Sequence, residues 1–236
     1  MMAELEKYAG SMGVDMNQVF NMVSASGAGA KGNSSDTALI TGMKPGDSSI
    51  DDLGALFSCY GNCVRGQIIR DKKSNALVML ESDEQCSRAV RNLNGISLRG
   101  KKIKVELSTK KDVPELRDAS SAERKYMEDW SKNDAYNRFN GRNDPNPSNL
   151  PCAYVRVDQL PANVELMTLL TTIQDNTDQE VDDVRFVDRR EKSAVLKFPS
   201  TSAAVDAIVK LHAVELEGTI LLLSFSNKSE FDELDA

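Results

Sequence analysis

Two stretches of this 236-residue chain repeat each other at an offset of 117 to 118 residues, which limits the fold more than any other feature. "ALITGM" (38–43) is answered by "VRVDQL" (155–160), and "GNCVRGQIIRDK" (61–72) by "QEVDDVRFVDRR" (179–190). "NALVML" (75–80) matches "SAVLKF" (193–198), "AVRNLNG" (89–95) matches "AIVKLHA" (207–213), and "IKVEL" (103–107) matches "ILLLS" (220–224). An offset held over five elements means one fold used twice.

Each copy reads strand, helix, strand, strand, helix, strand. In "SSIDDLGALFSCYG" an acidic first turn follows Ser48 and Ser49, and Leu53, Leu56, Phe57 and Tyr60 recur at helical spacing up to Gly61. "DEQCSRAVRNLNG" places Cys86, Ala89, Val90 and Leu93 on one face and ends at Gly95. The stretches between alternate with a period of two, as half-buried strands do. The expected class is α+β: two βαββαβ ferredoxin-like domains, each a four-stranded antiparallel sheet with both helices on one face. The other sheet face is left open, and function is to be sought there.

The expected boundaries are an N-terminal extension over 1–36, helical in part, and a first domain over 37–111. A linker over 112–150, with a helix at 120–139, leads to a second domain over 151–228 and a disordered acidic tail over 229–236. In the linker, Ser120 stands three residues before Glu123, a capping-box pattern. Tyr126 and Trp130, four apart, would share a helical face and cover apolar surface on this chain or on a protein partner.

The net charge of −7 is unevenly divided. Residues 37–111 carry 13 Lys and Arg against 8 Asp and Glu, whereas 151–228 carry 8 against 12. The first domain alone therefore suits a polyanion. No apolar run approaches the roughly 18 residues needed to span a bilayer, and "MMAELEKYAG" lacks the features of a signal peptide. Cys59, Cys63, Cys86 and Cys152 form no CxxC pair, so free thiols, no metal site and an intracellular setting, nuclear or cytoplasmic, are expected. His212, the one histidine, is expected in a surface turn. No Ser/His/Asp arrangement or phosphate-cradling glycine loop is present, so neither catalysis nor a cofactor is expected.

"YGNCVRGQIIRDK", "RAVRNLNGISLRGKKIKVELS" and "ALITGM" resemble the RNA recognition motif (RRM), of the ELAV and Sex-lethal-like kind. "YVRVDQLP", "VDDVRFVDRR" and "AVLKFPSTSAAVDAIVKL" resemble it in a more worn form. In that family, bases stack on aromatic side chains of the two central strands. The resemblance puts those positions at Leu39, Asn75 and Leu77 in the first copy and at Arg156, Ser193 and Val195 in the second, none of them aromatic. Period two sends Ala76, Val78 and Leu80 to the core and leaves Asn75, Leu77 and Met79 on the open face.

A base–aromatic stack is worth roughly 1–3 kcal/mol, so RNA contact without stacking must rest on charge. The candidate RNA contacts on and beside the first sheet are Leu39, Thr41, Arg65, Gln67, Asn75 and Leu77. Arg70, Lys72 and Lys73 join them in the loop between the second and third strands, and Lys102, Lys104, Lys110 and Lys111 around the fourth strand. The plainer alternative is a solvated basic face. In the second domain Tyr154, Arg156, Arg185 and Lys197 line a track for RNA or a partner, beside the repelling Asp182, Asp183, Asp188 and Glu191.

The resemblance implies a non-catalytic tandem-RRM protein that binds single-stranded mRNA or pre-mRNA in splicing or mRNA control. The first domain would contact RNA, and the second domain and linker would contact protein partners. The rival expectation is a protein–protein adaptor whose RRMs have lost RNA binding.

Overall fold

The computed structural model describes residues 35–234, apart from 111–112, 142–143, 163 and 189–191. The extension over 1–34, with its expected helix, lies outside the described residues. The chain divides into two compact units, the first ending at Pro147 and the second beginning at Ser148.

The first unit runs β1 (Thr37–Thr41), α1 (Ile50–Phe57), β2 (Cys63–Ile68), β3 (Ala76–Leu80) and α2 (Asp83–Leu93). A hairpin of β4 (Ser97–Leu98) and β5 (Lys101–Lys102) leads into β6 (Lys104–Leu107). Helix α1 begins where Asp52 N–H donates to Ser49 Oγ at 3.0 Å and Ser49 N–H donates back to the Asp52 carboxylate at 3.2 Å. Arg99 adds an ion pair to the same carboxylate at 3.2 Å. Helix α2 ends at Asn94, followed by Gly95 in the left-handed region at φ 85°. Ile40, Leu53, Leu56, Phe57, Val78 and Leu93 are fully buried between sheet and helices. Each contributes about 1.5–3 kcal/mol by leaving water.

The sheet has five strands, ordered β6-β1-β3-β2-β7, and β7 (Met127–Asp129) corrects the expected linker helix. The Ser120–Glu123 capping box is present, but only α3 (Ser121–Arg124) is helical. The chain then extends and pairs antiparallel with β2, Gln67 opposite Met127 and Arg65 opposite Asp129. The unpaired backbone groups of a sheet edge offer ladder bonds that a solvated helix in a tether does not need to give up. Trp130 fixes the choice. Its indole is 2% exposed beneath the sheet, donates from Nε1 to Asp51 Oδ1 at 3.1 Å, and stacks on Tyr136 at 5.5 Å. A Cβ on Gly66 or Gly54 would lie 2.5 or 2.7 Å from the ring, so these two glycines make its slot.

The second unit repeats the plan with β8 (Tyr154–Asp158), α4 (Leu166–Asn176), β9 (Asp183–Asp188), β10 (Ser193–Lys197) and α5 (Thr201–Leu211). A hairpin of β11 (Glu215–Leu216) and β12 (Thr219–Ile220) precedes β13 (Leu222–Phe225), and the sheet order is β13-β8-β10-β9. Val195 opposes Arg156 as Leu77 opposes Leu39, so the two central pairs share one register.

Two expectations are corrected in this unit. The acidic tail is not structureless: Lys228–Glu233 forms α6, whose first turn is capped by Asn227 Oδ1 accepting from Glu230 N–H at 2.8 Å. Phe231, 3% exposed, supplies the burial that charge counting overlooks. His212 is not a surface residue either. It is buried at the end of α5, and its Nδ1 accepts from Leu223 N–H at 3.1 Å. Asn94 does the same in the first unit, its Oδ1 accepting from Val105 N–H at 3.0 Å. Ala213, at φ 64°, takes the left-handed place of Gly95.

Candidate nucleic-acid interface

The pairing of β1, β3 and β2 puts Leu39, Leu77 and Gln67 in one row across the open face of the first sheet, with Met79 and Arg65 in the next. That face is not open. The chain leaving β6 returns over it, and Val113 and Met127 form a buried cluster with Leu77, against which Leu39, Ile69, Met79, Leu116 and Ala119 pack. Leu77 is left 2% exposed and Val113 fully buried. Arg65 is taken up as well, with Nη2 3.7 Å from Met79 Sδ and Nη1 3.8 Å from Glu115 Oε1. The expected RNA contacts Leu39, Arg65 and Leu77 therefore serve this cover, because apolar side chains without a stacking partner gain more from burial than from exposure.

The other candidates separate. Thr41 is half-buried and paired with Lys104, which forms an ion pair with Glu106 at 2.6 Å. Lys102 lies on the β4–β5 hairpin, a separate two-stranded ladder. Lys110 is exposed, and Lys111 lies outside the described residues. Asn75 is half-buried at the foot of the β2–β3 loop, its N–H donating to Lys72 O at 2.7 Å.

One group does come together at the other end of β2. Arg70, Lys72 and Lys73 are exposed in the β2–β3 loop, and Ile68 N–H donates to Tyr126 O at 2.8 Å, which brings Tyr126 beside them. The Tyr126 ring is half-exposed, with Lys73 Nζ 5.9 Å and Lys125 Nζ 5.0 Å from its centroid. Desolvation acts to raise the phenol pKa, but the hydrogen bonds and charges of Lys125 and Lys73 outweigh it and hold the group below its ordinary value. Tyr126 and Trp130, expected on one helical face, are parted by β7. Tyr126 stays at the basic rim, while Trp130 goes to the core.

In the second unit Tyr154, Arg156, Arg185, Ser193, Val195 and Lys197 share the face away from α4 and α5, and α6 lies across it. Phe231 packs on Cys152, Tyr154 and Val195, its ring 5.2 Å from that of Tyr154. The Arg185 guanidinium stacks 3.8 Å from the Phe231 ring and donates to Phe231 O at 2.7 Å. Arg156 donates to Glu230 at 2.6 Å, to Asp158 at 2.8 Å and to Ser193 Oγ at 3.1 Å. Burial works against its charge, but Asp158 and Glu230 outweigh that and hold its pKa above the ordinary value. Lys197 pairs with Asp182 at 3.8 Å. The polar track is thus brought together as expected and then closed by an acidic helix.

Val113, Leu116, Ala119, Lys125 and Phe231 are the residues that sequence reasoning missed. A signal existed for the first three in their spacing of three after a strand, and for Phe231 in a lone aromatic within an acidic run.

Residues 12–130 match the model of the RNA recognition motif, also known as RRM, RBD or RNP domain. The chain belongs to the RNA recognition motif family. That span ends at Trp130, so the match takes in β7. The RRM chain is 30% identical over 193 residues to polypyrimidine tract-binding protein homolog 3 of Arabidopsis thaliana, covering 80% of this chain and 42% of that protein. It is 31% identical over 109 residues to the Sex-lethal homolog of Megaselia scalaris, covering 44% and 34%. This RRM chain thus spans less than half the length of either relative. A solved Sxl-lethal protein/RNA complex matches 82% of this chain and all of that chain at 20% identity, with a TM-score of 0.31, a likeness that carries no argument.

Proposed function

We propose that this RRM protein binds single-stranded RNA, mRNA or pre-mRNA, in splicing or mRNA control in the nucleus or cytoplasm, and catalyses no reaction. RNA contact runs along the basic rim of the first unit, through Arg70, Lys72, Lys73, Lys125 and Tyr126, and not across the sheet. The observation that carries this reading is the half-exposed Tyr126 ring with the Lys73 and Lys125 ammonium groups within 6 Å of its centroid, at 5.9 and 5.0 Å. An aromatic face beside phosphate-binding charge is the combination that holds a single strand without reading sequence. The name of the Arabidopsis relative makes a pyrimidine tract the RNA to try first.

The test is a titration of the full chain with an oligopyrimidine at two salt concentrations. Binding should weaken steeply with salt, by a log–log slope of about −0.7 for each phosphate neutralised. Tyr126→Ala should weaken it about 5-fold or more, the lower limit of a lost stack, and Lys72→Glu with Lys73→Glu should weaken it further. Affinity indifferent to all three changes would remove this site from the reading.

A second reading rests on the closure of both sheet faces. With Leu77 and Val195 buried, the fold serves a protein–protein adaptor in which RNA binding is gone. No RNA binding at low salt selects that reading.

A further inference from the structure

The edge strand of the second sheet carries an apolar corner whose counterpart in the first sheet is covered by β7 and Trp130. Strand β9 takes the place of β2: Val184 opposes Leu196 as Gly66 opposes Val78. Aligned on their buried pairs, Leu53 with Phe57 and Leu169 with Ile173, the helices bring Leu166, Met167 and Leu170 to the places of Ile50, Asp51 and Gly54. In the first unit these places and Gly66 surround Trp130, and β7 pairs outside β2. In the second unit nothing among the described residues pairs outside β9. Among the described residues, Leu166, Met167 and Phe186 are three of the four exposed large apolar side chains, Met167 at 67%. Phe186 opposes the buried Ala194, so it points to the same side of the sheet as the helices.

We infer that the outer edge of β9, together with Leu166, Met167 and Phe186, is a docking site for an extended peptide segment of another protein. The segment adds as a fifth strand, as β7 does in the first unit, and lays an aliphatic or aromatic side chain on the corner. Leu170 and Val184 stand where the first unit has Gly54 and Gly66, so that side chain rests on the corner instead of sinking beneath the sheet. Charge selects the occupant. Asp178, Glu180, Asp182 and Asp183 rim the approach to β9, Asp178 at 97% side-chain exposure; Lys210, Lys197 and Arg185 answer Asp178, Asp182 and Asp183, and Glu180 is exposed beside them. A segment bearing Lys or Arg beside its apolar residue fits that rim. Residues 1–34 of this chain offer no such surplus, with Glu4, Glu6 and Asp15 against Lys7 and Lys31.

The probe is the β7 segment itself, residues 125–132, made as a labelled peptide with Glu128 and Asp129 both replaced by lysine. Added to the full chain, it should bind saturably by fluorescence anisotropy, more tightly than the unaltered segment. Met167→Lys with Phe186→Lys, both at exposed positions, should weaken binding at least tenfold while circular dichroism stays unchanged. Lys72→Glu with Lys73→Glu, at the proposed RNA rim, should change it less than twofold. Amide hydrogen exchange should show β9 gaining protection only when peptide is added. No saturable binding, or binding indifferent to Met167 and Phe186, overturns the inference. Full protection of β9 in the free chain overturns it too, because the edge is then occupied by this chain.

Discussion

The indole of Trp130 lies so close to Gly66 that a methyl group there would sit 2.5 Å from the ring. A glycine in mid-strand usually weakens a sheet; here it lets the fifth strand lock on. Gly66→Ala should lower stability by about 1–3 kcal/mol through overpacking, and Trp130→Ala by about 3–5 kcal/mol through the cavity it leaves. Trp130 is the one tryptophan of the chain, so its fluorescence in a urea titration reports the first unit alone for the glycine variant. Circular dichroism follows the tryptophan variant. An unmoved midpoint would refute the packing.

Asn94 and His212 suggest an exchange. His212→Asn should leave stability within about 1 kcal/mol of the parent, because an amide oxygen can accept from Leu223 N–H as it does from Val105 N–H. His212→Leu should cost about 1–3 kcal/mol by leaving that N–H without its acceptor. Thermal unfolding of the two variants side by side gives the answer.

The cover on the second sheet can be removed without touching the sheet. A chain ending at Asn227 should expose Tyr154 and Val195, raise the fluorescence of a hydrophobic dye, and free Arg156 and Arg185 from Glu230 and Phe231. If these side chains then meet RNA, oligopyrimidine affinity should rise several-fold. Dye binding without an RNA gain would restrict RNA contact to the first unit.

All four cysteines are buried and free. Burial pushes the Cys63 thiol far above its ordinary value, and pushes Cys86 and Cys152 up to about 12, with Asp36 and Asp83 adding to the rise at Cys86. Ellman's reagent at pH 8 should therefore label the native protein slowly and the denatured protein fully. A thiol whose pKa is raised by folding stabilises the fold only while it stays protonated in both states. Stability should accordingly fall as pH climbs from the ordinary thiol value of about 9 toward 12. Urea midpoints measured across that window show it.

The repeated fold was legible because its signals are local. Period-two strands, the capping residue Ser49 and the turn at Gly95 each specify their element within a few residues. What escaped depends on distant partners. Tyr126 and Trp130 have helical spacing, and only the free edge of β2 and the slot between Gly54 and Gly66 draw the segment into a strand. Phe231 sits in a run whose composition argues for disorder, and only the surface of Tyr154 and Val195 orders it. The basic rim is legible in part: charge marks Arg70, Lys72 and Lys73 as candidates, but the spacing of Tyr126 and Trp130 points to a helix face that Tyr126 never joins.

The covered sheets change what Leu77 and Val195 are. On a bare platform such residues answer to a ligand, and a flat ring at either position extends its reach. Here they answer to volume: each is enclosed by the segment that covers its face of the sheet, and a bulkier side chain meets filled space. Variation at these two positions should accordingly track the sizes of Val113 and Phe231, the lids above them, and carry no record of any nucleotide.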